Sequence, residues 1–364
     1  MSTILERDIF GNEKRIEELM QQLSDVTWFK RIIDHIPREI INVALGNLDT
    51  KVNLKKKNNN VVEITLKNPY GTEDGQWHYF MAEAYPGISI IGGNVQGIPI
   101  LNSIGSGITE MRRSVLHYCI KGRCEINTRD GMYAFMEPGV LCVESHKLKE
   151  KSLNFYGESY EGIEISFDLD TFDDKQIAYL KTLGIDIEVM RENYDRNVEY
   201  YVGNVSQQLK EAENELDQLL RGENPDAITI LLNVLRINNM VRTGHVKTDK
   251  TKLYLTKGQR KIVSEIHDYI TEHISDDITV EELTEKYNVS HVSLNKWFGI
   301  MYGDTIPKYL RNYRMKYAAK QIVSTDKSMS DIAAEVAYDN QGKFSSAFKK
   351  QFGMTPLEYR RRSV

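Results

Sequence analysis

Cysteine is nearly absent from this chain: three residues in 364, Cys119, Cys124 and Cys142. An odd number without C-x-x-C spacing suggests neither a disulfide framework nor a zinc ribbon, and buried free thiols are expected. Long apolar runs are missing as well. None approaches the ~18 residues that span a bilayer, and the opening MSTILERDIFGNEKR puts Glu6, Arg7 and Asp8 where a secretory signal needs an apolar core. A cytoplasmic address and no membrane partner are expected. Disorder is not, because 41% hydrophobic and 27% charged residues are the proportions of ordinary globular protein, at a length that allows two or three domains.

Catalytic signatures are also missing. A metal site wants two or three histidines at close spacing plus a carboxylate; His78, His117 and His146 are isolated and no H-x-H occurs. Satisfied or surface histidines are expected, with no metal or cofactor. No serine nucleophile elbow, P-loop or dinucleotide fingerprint is found. Gly92-Gly93 stands alone, and Ser103-Ile104-Gly105-Ser106-Gly107 lacks the full glycine spacing and reads as a loop. The chain has no identifiable catalytic residues and is not expected to be an enzyme.

What is present is an uneven distribution of charge. The net charge of −5 divides at Thr251: 18 Lys and Arg against 14 Asp and Glu follow it, leaving 29 against 38 in residues 1–250. From Ser290 onward the counts are 13 and 6. An acidic body joined to a basic end is the asymmetry expected when one end approaches a polyanion.

That end repeats itself. At an offset of fifty, Phe298 falls on Phe348, Gly303 on Gly353, Thr305 on Thr355, Tyr309 on Tyr359 and Leu294 on Phe344, an internal duplication. Thr279-Val280-Glu281-Glu282 has the form of a capping box, predicting a helix with Val280, Leu283 and Tyr287 inward that stops at Asn288. Ser290 then caps a second helix with Leu294, Phe298 and Met301 inward, ending at Gly303. The second copy runs from Ser330 through Ile332, Ala333 and Val336, turns at Tyr338-Asp339-Asn340, and continues from Gln341 to Phe352 with Phe344, Phe348 and Phe352 inward. Each copy is helix, tight turn, helix. Val292, Asn295 and Lys296, then Gln341, Gly342, Lys343 and Ser346, lie on the outward faces of the second helices. Such groups near a helix N-terminus suit base edges in the major groove of double-stranded DNA. Lys349, Lys350, Arg360, Arg361 and Arg362 supply charge for phosphates.

These residues resemble the DNA-binding domain of the AraC/XylS family of bacterial regulators, most specifically in Ile332-Ala333-Ala334-Glu335-Val336, Tyr338-Asp339-Asn340-Gln341, Phe344, Phe348-Lys349-Lys350, Phe352-Gly353 and Thr355-Pro356-Leu357-Glu358-Tyr359-Arg360. The resemblance covers about a hundred residues and implies a long helix, about Ile306 to Ser324, joining two motifs that enter successive major-groove segments. Two positions depart from the pattern. Ser346 stands where the family commonly has arginine, and Gly342-Lys343 replaces a polar or aromatic pair.

From about Val61 to Leu169 short alternating segments broken by Gly, Pro and Asn read as a small antiparallel barrel or sandwich. Leu116-His117-Tyr118-Cys119-Ile120-Lys121-Gly122-Arg123 and the Asp130 to Val143 hairpin resemble the cupin-like effector domain of many members of that family. A small-molecule site at a barrel mouth wants aromatic walls and convergent polar groups; Trp77, Tyr79, Arg112, His117, Tyr118 and Glu125 are the candidates. Residues 171–241 return to helical period and either cover the barrel or, as the resemblance implies, form a homodimer contact. Residues 1–60 carry a helix with Ile16, Leu19, Met20, Leu23 and Val26 on one face, and residues 242–255 read as a linker to the DNA-binding domain at 256–364. The expected fold is thus α+β and multidomain: a cupin-like antiparallel β barrel with flanking helices at 61–170, then an all-α tandem helix-turn-helix domain. The expected function is effector-controlled, sequence-specific binding of promoter DNA, with RNA polymerase as a further partner. Two other readings stand beside it: an effector-independent DNA binder whose body only dimerises, and a cupin enzyme with a DNA-binding appendage.

Overall fold

A computed structural model describes residues 52–67, 76–96, 104–105, 112–127, 131–145, 152–196, 199–248 and 253–363, with Gln21, Val26 and Trp28. The N-terminal helix expected around Ile16 to Leu23, His146 and most of the Ser103 to Gly107 stretch lie outside those residues. The chain forms two compact units, Met1–Tyr254 and Leu255–Val364.

The first unit is built on strands β1 (Val52–Lys56), β2 (Val61–Lys67), β3 (Gln76–Tyr85), β4 (Ile88–Gln96), β5 (Ile104–Gly105), β6 (Arg113–Asn127), β7 (Tyr133–Met136), β8 (Val140–Ser145), β9 (Ser152–Asp168), β10 (Glu199–Val205) and β11 (Val246–Lys247). They pair antiparallel in the order β1-β2-β3-β4-β9-β6-β8-β10-β11. Among the described residues no pairing joins β1 to β11, so the sheet is open where a closed barrel was expected. Closure needs edge strands that meet in register, and β11 offers only two residues.

Strand alternation divides the apolar residues between two faces. Val61, Phe80, Ile90, Tyr118 and Ile165 pack beneath four helices, α1 (Asp174–Thr182), α2 (Ile187–Arg196), α3 (Gln207–Arg221) and α4 (Ala227–Arg242). Trp77, Val95, Cys119, Cys124, Cys142 and Tyr160 make a second cluster, in which the three thiols are buried and form no disulfide. The residues Gly93 and Gly162 are cross-strand partners. A Cβ on Gly93 would stand 2.4 Å from the Tyr79 ring, and one on Gly162 would stand 2.8 Å from the Tyr118 carbonyl. Gly93 therefore makes room for a ring. Under α3 the Glu213 carboxyl is buried with neither oxygen hydrogen-bonded, and burial pushes its pKa up to about 8.

The second unit is helical: α5 (Lys257–Glu272), α6 (Val280–Tyr287), α7 (His291–Tyr302), α8 (Ile306–Ser324), α9 (Met329–Glu335), α10 (Gln341–Phe352) and α11 (Pro356–Ser363). The Thr279 capping box and the Ser290 cap form as the spacing predicts, and Gly303 and Gly353 close α7 and α10 in the left-handed region. α9 begins one residue earlier than the expected Ser330, because Ser328 accepts the Asp331 N–H and takes the cap. Tyr287 and Phe352 are half-buried, not fully inward.

Candidate nucleic-acid interface

Each motif presents one helix outward from a core of rings. In the first, Phe298 packs on Tyr302 and Tyr309 with centroids 4.8 and 5.3 Å away. In the second, Phe348 packs on Phe352 and Tyr359 at 4.5 and 5.4 Å. Phe298 and Phe348 are fully buried, so the opposite side of α7 and of α10 faces solvent. Val292 is 77% exposed, and Lys296, Gln341, Gly342, Lys343, Ser346, Lys349 and Lys350 are exposed too. None of their side chains makes a hydrogen bond or ion pair among the described residues. The cap beneath them is tight: Asn340 Oδ1 accepts from Gly342 and Lys343 N–H at 2.7 and 3.2 Å, which sets the pitch at which α10 leaves the turn.

Two expected contact residues are placed differently. Asn295 Oδ1 accepts the Ile306 N–H at 3.1 Å while Nδ2 donates to the His291 carbonyl at 3.2 Å. Thr305 caps α8 without a side-chain hydrogen bond, and Asn295 meets that need from α7. Arg360 reaches back along the chain: Nε donates to Ile322 O at 3.0 Å, and Nη2 to Thr325 O at 3.3 Å and Lys327 O at 2.8 Å. Its charge neutralises the carbonyl end of α8, whereas Arg361 and Arg362 are exposed. Arg314, not singled out by the sequence, holds the turn that follows α5 through Ile274 O at 2.9 Å and Asp276 O at 2.5 Å. It lies one turn beyond the position that the fifty-residue offset would match to Arg360, so an overlay could not pair them.

The first motif also buries His267 against Tyr302, with centroids 4.4 Å apart and planes 7° apart, and its Nε2 meets Tyr309 Oη at 2.9 Å. Burial holds this imidazole's pKa below its usual value despite Asp268 beside it.

The six candidate pocket residues of the first unit do not converge. Trp77 and Tyr79 belong with the Cys119 cluster, and His117 Nε2 meets Tyr160 Oη of that cluster at 2.8 Å. Tyr118 is buried in the core under the helices. Glu125 accepts from Asn154 Nδ2 at 2.7 Å and Tyr156 Oη at 2.8 Å, and Arg112 pairs with Asp170 at 3.0 Å and Asp195 at 2.6 Å. Tyr160, which the sequence reading missed, carries no signal beyond being an aromatic on a strand. Among the described residues no group of three acidic, histidine or cysteine side chains could hold a metal ion, and no helix is long and apolar enough to cross a membrane.

With this geometry in view, residues 283–362 match a family described as a helix-turn-helix domain. The regulatory protein SoxS of Escherichia coli (strain K12) is 31% identical over 103 residues, spanning 28% of this chain and 96% of SoxS. The bifunctional transcriptional activator/DNA repair enzyme AdaA of Bacillus subtilis is 31% identical over 98 residues, 27% of this chain and 46% of AdaA. Among solved structures, the C-terminal domain of AraT, a response regulator from Geobacillus stearothermophilus, is 39% identical over 28% of this chain and 84% of that one, with a TM-score of 0.27.

Proposed function

Because the chain belongs to the AraC/XylS family of DNA-binding transcription regulators, we propose that α7 and α10 enter two major-groove segments about one helical turn, ~34 Å, apart on one face of promoter DNA. Val292 and Lys296 read the first half-site, and Gln341, Gly342, Lys343 and Ser346 the second. Lys349, Lys350, Arg361 and Arg362 meet phosphates. One observation carries this reading: the two outward faces occupy equivalent positions over equivalent ring cores, and their side chains are left exposed. The half-sites are unequal, because Gly342 and Ser346 give α10 little reach, and DNA shape and backbone contacts take a larger share there.

The test compares variants of the full chain on duplexes selected from a randomised pool. Lys343→Ala relaxes base preference in one half-site, whereas Lys350→Ala weakens binding to all sequences alike and lowers the salt slope by about 1. Equal, salt-insensitive binding by the wild type and by residues 1–250 alone would refute the proposal.

Residues 61–170, part of the sheet unit, are the effector domain in this reading, a cupin-like module left open. Trp77, Tyr79 and His117 offer aromatic walls with one hydrogen-bonding ring. Residues 171–241 provide the homodimer contact, favoured by Ile228 and Leu232, which lie one turn apart on α4 and are 69% and 59% exposed. A thermal-shift screen with small metabolites separates effector control from a body that only dimerises, since a ligand of the native fold must raise its stability. The regulator acts in the compartment that holds the DNA, with RNA polymerase as the partner of its activating form. AdaA's second activity is not carried over, because the match leaves more than half of AdaA uncovered.

A further inference from the structure

A chain of hydrogen bonds on α7 fixes the chemistry of an exposed ring that the base-reading set above omits. The Ile306 N–H can only donate, and it reaches Asn295 Oδ1 at 3.1 Å. The other end of that amide is therefore the NH2 group, which has two hydrogens to give. It gives them to the His291 carbonyl at 3.2 Å and to His291 Nδ1 at 3.3 Å. In the tautomer that accepts this bond at Nδ1, the ring carries its hydrogen on Nε2 and presents it outward as a donor. His291 is exposed and is the first residue of α7; fifty positions on, Gln341 is the first residue of α10.

We infer that His291 reads a base in the first half-site and that Asn295 is the positioning residue that aims it. This rests on α7 entering the major groove. There the Nε2–H donates to a purine N7, with guanine favoured because its O6 acceptor lies beside N7 while adenine places a competing amino donor there. Asn295 holds the ring and, through Ile306, the angle between α7 and α8. The second motif has no such link: Pro356, fifty positions after Ile306, has no N–H to offer, Ser345 stands at the Asn295 position, and Thr355 with Glu358 caps α11 locally at 2.8 and 3.3 Å. Lys308 occupies the place of Glu358 in the first motif and pairs with Asp304 at 2.5 Å, so no local cap is available to α8 and the longer reach of Asn295 replaces it.

The experiment uses the full chain on a duplex selected from a randomised pool, with each purine of the first half-site replaced in turn by its 7-deaza analogue, which lacks N7. At one position the wild type loses about 5- to 150-fold in affinity. His291→Ala loses a similar factor on the unmodified duplex and is indifferent to the analogue there. Asn295→Ala relaxes preference at that same position, and the double variant discriminates no worse than His291→Ala. Two results would overturn the inference: no analogue position that distinguishes wild type from His291→Ala, or an Asn295→Ala effect at a base that His291→Ala leaves untouched, which would make Asn295 a reader in its own right. A wild type that selects no preferred duplex would refute the underlying DNA-binding reading itself.

Discussion

The two helix-turn-helix copies have nearly the same core and different joints. Ring separations in the two triads agree within a few tenths of an ångström: 4.8, 5.3 and 5.3 Å in the first, 4.5, 5.4 and 5.4 Å in the second. A close-packed interior tolerates little change of volume, and that holds the rings in place. The joints are freer. Asn295 caps α8 where Thr355 and Glu358 cap α11; a histidine backs one triad only; and the tight turn uses Asn288 in one copy and Ala337 in the other. A polar joint can be rebuilt from other groups provided the same backbone atoms are satisfied.

The strongest way to break the comparison is to remove a ring from each core. Phe298→Ala and Phe348→Ala each create a cavity at a fully buried site and are expected to cost about 3–5 kcal/mol. Equal losses in thermal unfolding would make the copies energetically equivalent; a loss at one site below about 1 kcal/mol would show that its core collapses and that the likeness of the triads is only geometric.

The next effect separates the arginines. Arg360 holds three carbonyls and Arg314 two. Charge-assisted bonds of this kind contribute about 1.5–3 kcal/mol when well buried, and both residues are half-exposed. Arg360→Ala is expected to cost about 1–2 kcal/mol, somewhat more than Arg314→Ala, while leaving the salt slope of DNA binding unchanged. Arg361→Ala should do the reverse. A salt slope that falls with Arg360→Ala would return this residue to the phosphates.

These cases show how much was legible in sequence. Capping boxes, αL glycines and the apolar period are local signals, and they located α6, α7, α9 and α10; the helix Ile306–Ser324 was implied by the family resemblance, and α5 and α11 were not foreseen. The intramolecular bonds of Asn295 and Arg360 were not legible in sequence, because their partners lie 11 and 38 residues away, beyond any local pattern. In the sheet unit the failure has a different cause. His117 and Glu125 are an even number of residues apart and should share a face of β6. Register shifts between Cys119 and Lys121 and between Lys121 and Arg123 intervene, at a Gly122 with φ of 84°, and a one-residue slip turns every later side chain over. Cys119 and Cys124 thus fall in one cluster, and Glu125 is carried away from His117.

A smaller effect comes from His267, which has no histidine counterpart in the second triad. Burial lowers its pKa, so the folded ring binds its proton less tightly than the unfolded one, and unfolding takes up a proton once pH falls below the ordinary value of 6.5. Stability from this group is complete above that value and declines as pH drops toward the folded pKa, at no more than about 1.4 kcal/mol per pH unit. Hydrogen exchange should show α5 to α7 loosening as pH falls below 6.5 while α9 to α11 hold, and His267→Gln should abolish the difference. Parallel loosening of both motifs in the variant would assign the effect to other groups.

The smallest effect lies in the turns. Asn288 sits at φ 51° and Ala337 at φ 59°, both in the left-handed region. Asparagine tolerates that region through local hydrogen bonds, whereas alanine places its Cβ against the following carbonyl at a cost of about 1–2 kcal/mol. Glycine avoids the clash but loses more chain entropy on folding, about 0.5–1 kcal/mol. Ala337→Gly is therefore expected to stabilise the second motif by about 0.5–1 kcal/mol, and Asn288→Gly to leave the first nearly unchanged. An Ala337→Gly variant that unfolds at a lower temperature would mean that this turn is held by contacts of the Ala337 methyl group and not merely tolerated, and the two turns would then differ in kind.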